Sequence, residues 1–264
     1  LLAETREEAA VLAGDLKNLN ESRKEMTAQG VEKAIEQVES TSMMEDTVLV
    51  VFLPECHESL AGIIAGRLRE RYHKPSFVLT RGEEGVKGSG RSIEAYSMYE
   101  KLCECKEYLT KFGGHPMAAG LSLEEENVET FRRKLNERSG LSQEDLIEKV
   151  SIDVPMPIHY IRKDLVRELS LLEPFGKGNE KPLFAQKNLW ISQLRVFGKN
   201  RNVVKMRLTD ENGYPMDGVY FGDGDAFAEE ARGKQKIAIV YYPDINVYQG
   251  RESLQVIIRH YQFD

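Results

Sequence analysis

The chain has 264 residues and carries 36 Lys plus Arg against 43 Asp plus Glu, a formal charge of −7. A uniformly basic nucleic-acid binder is excluded, and so, with 41% hydrophobic residues, is disorder as the dominant state. No run reaches the roughly 18 to 20 apolar residues that a bilayer crossing takes, and no basic stretch followed by an apolar core opens the chain.

The expectation is therefore a cytoplasmic protein without a membrane partner. Cys56, Cys103 and Cys105 are odd in number and lack two-plus-two spacing, so plain thiols are expected rather than a disulfide framework or a zinc site. The acidity is local, with 28 acidic and 20 basic side chains in residues 1–150 against 15 and 16 in 151–264.

Leu2, Ala9, Leu12, Leu16 and Leu19 recur at three- and four-residue steps, which predicts an amphipathic helix over residues 1 to about 39. A chain that starts inside such a pattern reads as part of a longer protein. Thr47 to Leu53 is a continuous apolar run expected of a buried strand. Leu60, Ile63, Ile64 and Leu68 return at helical spacing, and Pro75 to Thr80 reads as a second strand, completing a strand–helix–strand unit.

Residues 81–92 hold four glycines in twelve positions and read as loop or strand edge. A helix is expected at about 94–104, a second glycine cluster runs from Lys111 to Gly120, and Val128, Phe131 and Leu135 mark another helix. Beyond Gly140, short strands alternate with turns: Trp190–Phe197, Val203–Thr209, Asp217–Phe221, Lys236–Tyr242 and Ser253–Arg259. The pair Asn212-Gly213 is a hairpin signal because both residues tolerate positive φ. Five such strands suggest a small barrel.

Two places carry chemistry. In Lys87-Gly-Ser-Gly-Arg-Ser92, glycine lets backbone N–H groups approach one anion, and Arg91 offers a bidentate grip on phosphate; a plain turn is the alternative. Gly113-Gly114-His115 sets an imidazole on a tight corner, where a structural histidine is the alternative. The histidines His57, His73, His115, His159 and His260 have no neighbouring aspartate, and the close acidic pair Asp223 and Asp225 reads as a solvated turn. No metal or cofactor site is expected in this chain.

These residues also resemble a known family. His57, Gly62, Ile63, Ala65 and Arg67, then Lys87 to Ser92, then Lys111-Phe-Gly-Gly-His115 through Gly120 are similar to the DHH-associated domain of the RecJ family of single-strand-specific 5′→3′ DNA exonucleases. Cys56 stands where the family has an aromatic residue. Leu16, Leu19, Asn20 and Arg23 resemble the end of the family's connecting helix, and Pro174-Phe-Gly with Gly178, Asn179, Pro182 and Phe184 the entry to its oligonucleotide-binding (OB) barrel.

The resemblance implies a connecting helix and linker over 1–43, an α/β domain with a central sheet flanked by helices over 44–140, and an all-β OB barrel over 141–264. It implies that this part binds single-stranded DNA for use in repair and recombination and is inactive alone. The Mn2+ or Mg2+ would be held by a DHH domain of the same protein outside this chain. It implies that Gly113, Gly114 and His115 approach the scissile phosphate, His115 as a supporting catalytic contact, and that Ser89, Gly90, Arg91 and Ser92 receive a 5′ phosphate with Arg23. Lys199, Arg201, Lys205, Arg207, Tyr248 and Arg251 would hold the strand in the barrel, and His57 would be structural. A single-strand-binding protein or a helicase is a further expected partner. Two other readings stay open: a phosphodiesterase for short oligonucleotides or cyclic dinucleotides, and a non-catalytic OB module that docks proteins.

Overall fold

The computed structural model describes residues 2–83 and 85–264; Leu1, read above as the start of the first helix, and Glu84, read as loop, lie outside the described residues. The chain divides into two compact units, Leu1–Glu148 and Lys149–Asp264.

In the first unit, helix α1 (Arg6–Glu39) starts where the Thr5 side chain accepts the Glu8 backbone N–H, the usual relief for an unpaired donor at a helix start. Its apolar spacing makes a helix but not a buried one. Leu12, Leu16 and Leu19 are exposed, and within the helix only Gly30, Ala34 and Val38 are buried. Gly30 marks the close approach to α2 (Glu58–Tyr72): a Cβ there would lie 2.6 Å from the Ile64 Cδ1.

Strands β1 (Leu49–Phe52), β2 (Ser76–Arg81) and β3 (Val86–Arg91) are followed by α3 (Met98–Glu104), β4 (Lys111–His115), β5 (Ala118–Leu123) and α4 (Val128–Glu137). They form one sheet in the order β1-β2-β3-β5-β4, with β1 and β2 parallel and the other pairs antiparallel. The glycine-rich segment read as loop or strand edge is thus an interior strand, paired on both sides. Packing overrides propensity here, because a Cβ at Gly88 would sit 2.3 Å from Leu79 Cδ2 and one at Gly90 2.6 Å from Phe77 Cε1. The neighbouring strand's large side chains occupy the space that β3 leaves. The helix expected from residue 94 begins only at Met98.

One face of this sheet, with Phe77, Leu79, Leu121 and Leu123, packs against Leu102, Phe131 and Leu135. The other, with Leu49, Val51 and Val78, packs against Ala34, Val38, Ile64 and Leu68 of the first two helices. Helix α2 lies against β2 and β3. Toward β5 and β4 the same face is open, and Gly113, His115 and Gly120 are exposed.

The second unit contains β6 (Val154–Pro155), α5 (Lys163–Ser170), β7 (Phe184–Phe197), β8 (Val203–Thr209), β9 (Pro215–Phe221), α6 (Gly224–Glu230), β10 (Lys236–Tyr248) and β11 (Arg251–Phe263). Its long strands pair in the order β10-β11-β9-β8-β7, and β10 pairs again with β7. This is the strand order of the OB fold, a partly open Greek-key barrel. Its core includes Val204, Met206, Leu208, Ile239, Tyr241, Val256 and Ile258.

Two expected turns are more specific than the sequence suggests. Between β8 and β9, Gly213 takes a positive φ of 78° but Asn212 does not; the buried Asp210 carboxylate holds the turn by accepting the N–H groups of Asn212 and Tyr214. Asp223 and Asp225 are exposed, and Asp223 is in addition the N-cap of α6, accepting from the N–H groups of Asp225 and Ala226.

Candidate nucleic-acid interface

Strand register builds the site in the first unit. Arg91 pairs with Ala118, which pairs with His115; Ser89 pairs with Gly120, which pairs with Gly113; Lys87 pairs with Ser122, which pairs with Lys111. Directly paired residues point to the same side of a sheet, and side chains alternate along each strand, so these three rows share one face. That face is the one α2 only partly covers. Its floor is made of small residues, and its cations stand at the two ends.

A cleft of about 430 Å3 runs along this face, lined by Glu58 and Ser59 at the start of α2, by Thr80, and by Lys87, Ser89, Lys111, Gly120 and Ser122. One row past Ser89, and outside this lining, the Arg91 guanidinium lies against α2 where residue 62 is glycine: a Cβ there would be 2.8 Å from its Nη2. The Arg91 Nη1 donates to the Gly90 carbonyl oxygen at 2.7 Å. The exposed His115 accepts the Met117 N–H on Nδ1 at 3.3 Å, which directs Nε2 away from the turn as a donor. At the other end, Lys87 bridges to Glu58 at 2.7 Å and holds that carboxyl below the usual range.

Five predicted contacts require correction or placement. Ser92 is buried, and its hydroxyl donates to the Tyr96 carbonyl oxygen at 2.5 Å, so it fastens the end of β3 rather than meeting a phosphate. Gly90 faces the opposite, core side, where Phe77 and Met98 fill the space over it. Gly114 also lies off the site face; its φ of 149° and a Cβ position 2.4 Å from the Ala118 carbonyl oxygen make glycine obligatory for the β4–β5 connection. Gly113, by contrast, has nothing within 4 Å of a Cβ position and lies open on the floor. Arg23 hydrogen-bonds Asn20 and lines a separate groove with Val31, Ile63 and Arg67, one that Arg91 does not line. His57 caps α2, its Nδ1 accepting the Ser59 N–H, which is a structural role.

In the second unit, Lys205 and Arg207 share one face of β8 with Arg195 of β7 and Asp217 of β9, around a cleft that also includes Phe197 and Gln255. Lys205 sits 5.9 Å from the Phe197 ring centre. The predicted cations here are not equally available. Arg201 is held by Asp225 through Nε at 2.8 Å and Nη2 at 2.6 Å, and Arg207 is paired with Asp217. Lys199 lies exposed in the β7–β8 turn, and Tyr248 and Arg251 pair across the exposed tip of the β10–β11 hairpin. Tyr241 of β10 is buried and donates its hydroxyl proton to the Met156 carbonyl oxygen at 2.6 Å.

Sequence reading missed Lys111, Ser122 and Arg195. A signal for the first was present: Lys87 precedes Arg91 by four, as Lys111 precedes His115, and an even spacing in paired strands keeps all four on one face. It also missed that His159, with no aspartate beside it in sequence, meets Asp210 at 2.8 Å. Among the described residues no group of three or more His, Cys, Asp or Glu side chains is placed to hold a metal ion, and no helix is long and apolar enough to cross a membrane.

An α/β sheet with one half-open cationic face, joined to an OB fold, defines a tandem of DHH-associated and OB domains. A family model described as the DHHA1 domain matches residues 45–140, and one described as the RecJ OB domain matches residues 152–260. The single-stranded-DNA-specific exonuclease RecJ of Bacillus subtilis (strain 168) is 35% identical over 263 residues, covering 98% of this chain and 33% of the relative. That of Escherichia coli (strain K12) is 33% identical over 270 residues, covering 98% and 46%. The crystal structure of RecJ in complex with Mg2+ from Thermus thermophilus matches with a TM-score of 0.80 at 25% identity, over 99% of this chain and 39% of that one. The chain belongs to the RecJ family, of which it carries the DHHA1 and OB domains, and it spans between a third and a half of the length of these relatives.

Proposed function

We propose that this chain is the substrate-holding part of a cytoplasmic single-strand-specific DNA exonuclease. The first unit receives a 5′-terminal phosphate at Arg91 and Ser89 and presents the scissile phosphate to His115. The OB unit grips the strand further along through Lys205, Arg195 and Phe197, by the stacking and phosphate tracking such folds use. The Mg2+ or Mn2+ that this chemistry takes is held by a DHH domain of the same protein, for which the exposed Leu12, Leu16 and Leu19 of α1 offer a packing surface. His115 Nε2–H supplies a hydrogen bond to the charge that develops on a phosphate oxygen.

The observation that carries this reading is the row Arg91–Ala118–His115: a fork-shaped cation and an imidazole donor on one exposed face, separated by a single small residue. The test is fluorescence anisotropy with a labelled strand of about a dozen nucleotides at low salt. The 5′-phosphorylated strand is expected to bind more tightly than its 5′-hydroxyl counterpart, Arg91→Ala is expected to erase that difference, and added Mn2+ is expected to leave the strand uncut. Equal binding of both strands would remove the terminal-phosphate role, and degradation that survives repurification would remove the division of labour.

A further inference from the structure

The cleft begins at Ser89 and extends away from the Arg91–His115 row. Two rows beyond Arg91 and His115, about 14 Å along the strands, the far end is bounded by Lys87, Lys111, Ser122, Thr80 and the first turn of α2. We propose that this end is a second phosphate subsite, centred on Lys111, for a further phosphate of the same bound strand; it rests on the reading that the first end takes a terminal phosphate.

Two independent observations converge on it. The first is Thr80: its side chain is wholly buried, lines this cleft, lies in the same row as Lys87, and its hydroxyl has no hydrogen-bond partner among the described residues. Buried hydroxyls are nearly always paired, so one left open toward a cleft marks a place where an entering group completes it. The second is charge. Lys111, on the open edge strand, makes no ion pair among the described residues, and the N-terminus of the 15-residue α2 brings its positive dipole end to the same place.

Among the described residues Glu58 is the one acidic side chain lining the cleft, and Lys87 neutralises it at 2.7 Å. An arriving phosphate therefore meets Lys111 first and then competes with Glu58 for Lys87. The hydroxyl of Ser122 lies in the same row as Lys111, and that of Ser89 stands between the two ends, as further donors. A mononucleotide occupies one end only, whereas a strand of three or four nucleotides reaches both.

The experiment measures binding of 5′-phosphorylated thymidylates one to four nucleotides long to the 264-residue chain. In the wild type, affinity rises with length. Lys111→Ala is expected to lose about tenfold for the four-nucleotide strand, as befits one charge-assisted hydrogen bond, and nothing for the mononucleotide. Its salt dependence should fall by about 0.7 in log–log slope. Thr80→Val, nearly the same shape, is expected to weaken only the longer strands while leaving or raising the melting temperature; unchanged binding by this variant overturns the hydroxyl's role.

If Lys111→Ala weakens all lengths equally, or none, while Arg91→Ala still abolishes the preference for a 5′ phosphate, the second subsite is wrong and the function stands. If Arg91→Ala changes nothing, the functional reading fails and the subsite fails with it.

Discussion

The glycines of the first unit divide into two kinds, and alanine substitution separates them. At Gly90 a methyl group would arrive 2.6 Å from Met98 Sδ and from Phe77 Cε1. Carbon atoms rest at roughly 3.5–4.0 Å, so about 1 Å of displacement is demanded of the core. Met98 can adjust, but Phe77 is held edge-on against Phe131 with ring centres 5.9 Å apart. Overpacking of this kind costs about 2 kcal/mol, a fall in melting temperature of about 4–8 °C for a unit of this size. At Gly113 nothing lies within 4 Å, so alanine is expected to leave stability unchanged or raise it by up to about 1 kcal/mol. The same methyl stands on the open face in the row of Ser89 and Gly120, where the steric conflict with a bound phosphate is worth about 1–3 kcal/mol, roughly five- to a hundredfold in affinity. Calorimetry and anisotropy on the two variants give opposite patterns. Trp190 in the OB unit is the chain's single tryptophan, so a transition that leaves its fluorescence unchanged reports the first unit. Loss of stability in Gly113→Ala, or retained stability in Gly90→Ala, would refute the assignment of faces.

Two further outcomes follow from side-chain partners. Burial pushes the Asp210 carboxyl up, but the N–H groups of Tyr214 and Asn212 and the His159 ring outweigh it and hold it below its ordinary value of 3.8; a depressed carboxyl stabilises the fold above that value and ceases to do so as pH falls through its lowered one. Asp210→Asn is expected to cost about 1–3 kcal/mol at pH 7 and to flatten the acid end of the stability profile followed by Trp190 fluorescence; an unchanged acid limb would count against the pair. On the OB face, Lys205→Ala is expected to weaken binding of a dozen-nucleotide strand and reduce its salt slope, whereas Arg201→Ala, whose charge Asp225 already holds, is expected to change it little. Equal losses by titration at two salt concentrations would show that the Arg201 pair opens on binding.

Much of this architecture is legible without coordinates, and the failures have physical causes. The apolar run at residues 49–52 and the strand β8 are read correctly because β1 is dry on both faces and β8 on one, which writes itself into the residue pattern. The strand β3 is misread because its glycines are chosen by Leu79 and Phe77, residues that become neighbours only through pairing. Ser92 looks like part of a phosphate loop until the chain turns and buries it beside Tyr96. Arg201 and Asp225, 24 positions apart, show no sequence relation that would warn of their pairing. A family resemblance supplies the motif, but only register shows which alternate residues of it face the cleft.

Register also reconciles an acidic chain with the anion-binding face proposed for it. Net charge governs solubility and long-range steering, whereas a ligand in a cleft responds to charges within a Debye length of about 8–10 Å. Along the cleft, and in the Arg91–Ala118–His115 row beside it, stand Arg91, Lys87 and Lys111 with the imidazole of His115; among the described residues the one acidic side chain lining the cleft is Glu58, and that carboxylate is bridged by Lys87. Acidic residues of the first unit lie elsewhere: Glu7, Glu8 and Asp15 on the exposed part of α1, and Glu124 to Glu126 ahead of α4, where Glu125 holds Arg81 at 2.9 Å. With the first 150 residues carrying eight more acids than bases, non-specific attraction to nucleic acid is weak and binding depends on the few cations that register brings together. Loss of one of them therefore removes a large share of the affinity, which is why single alanine substitutions at Arg91 and Lys111 give clear answers.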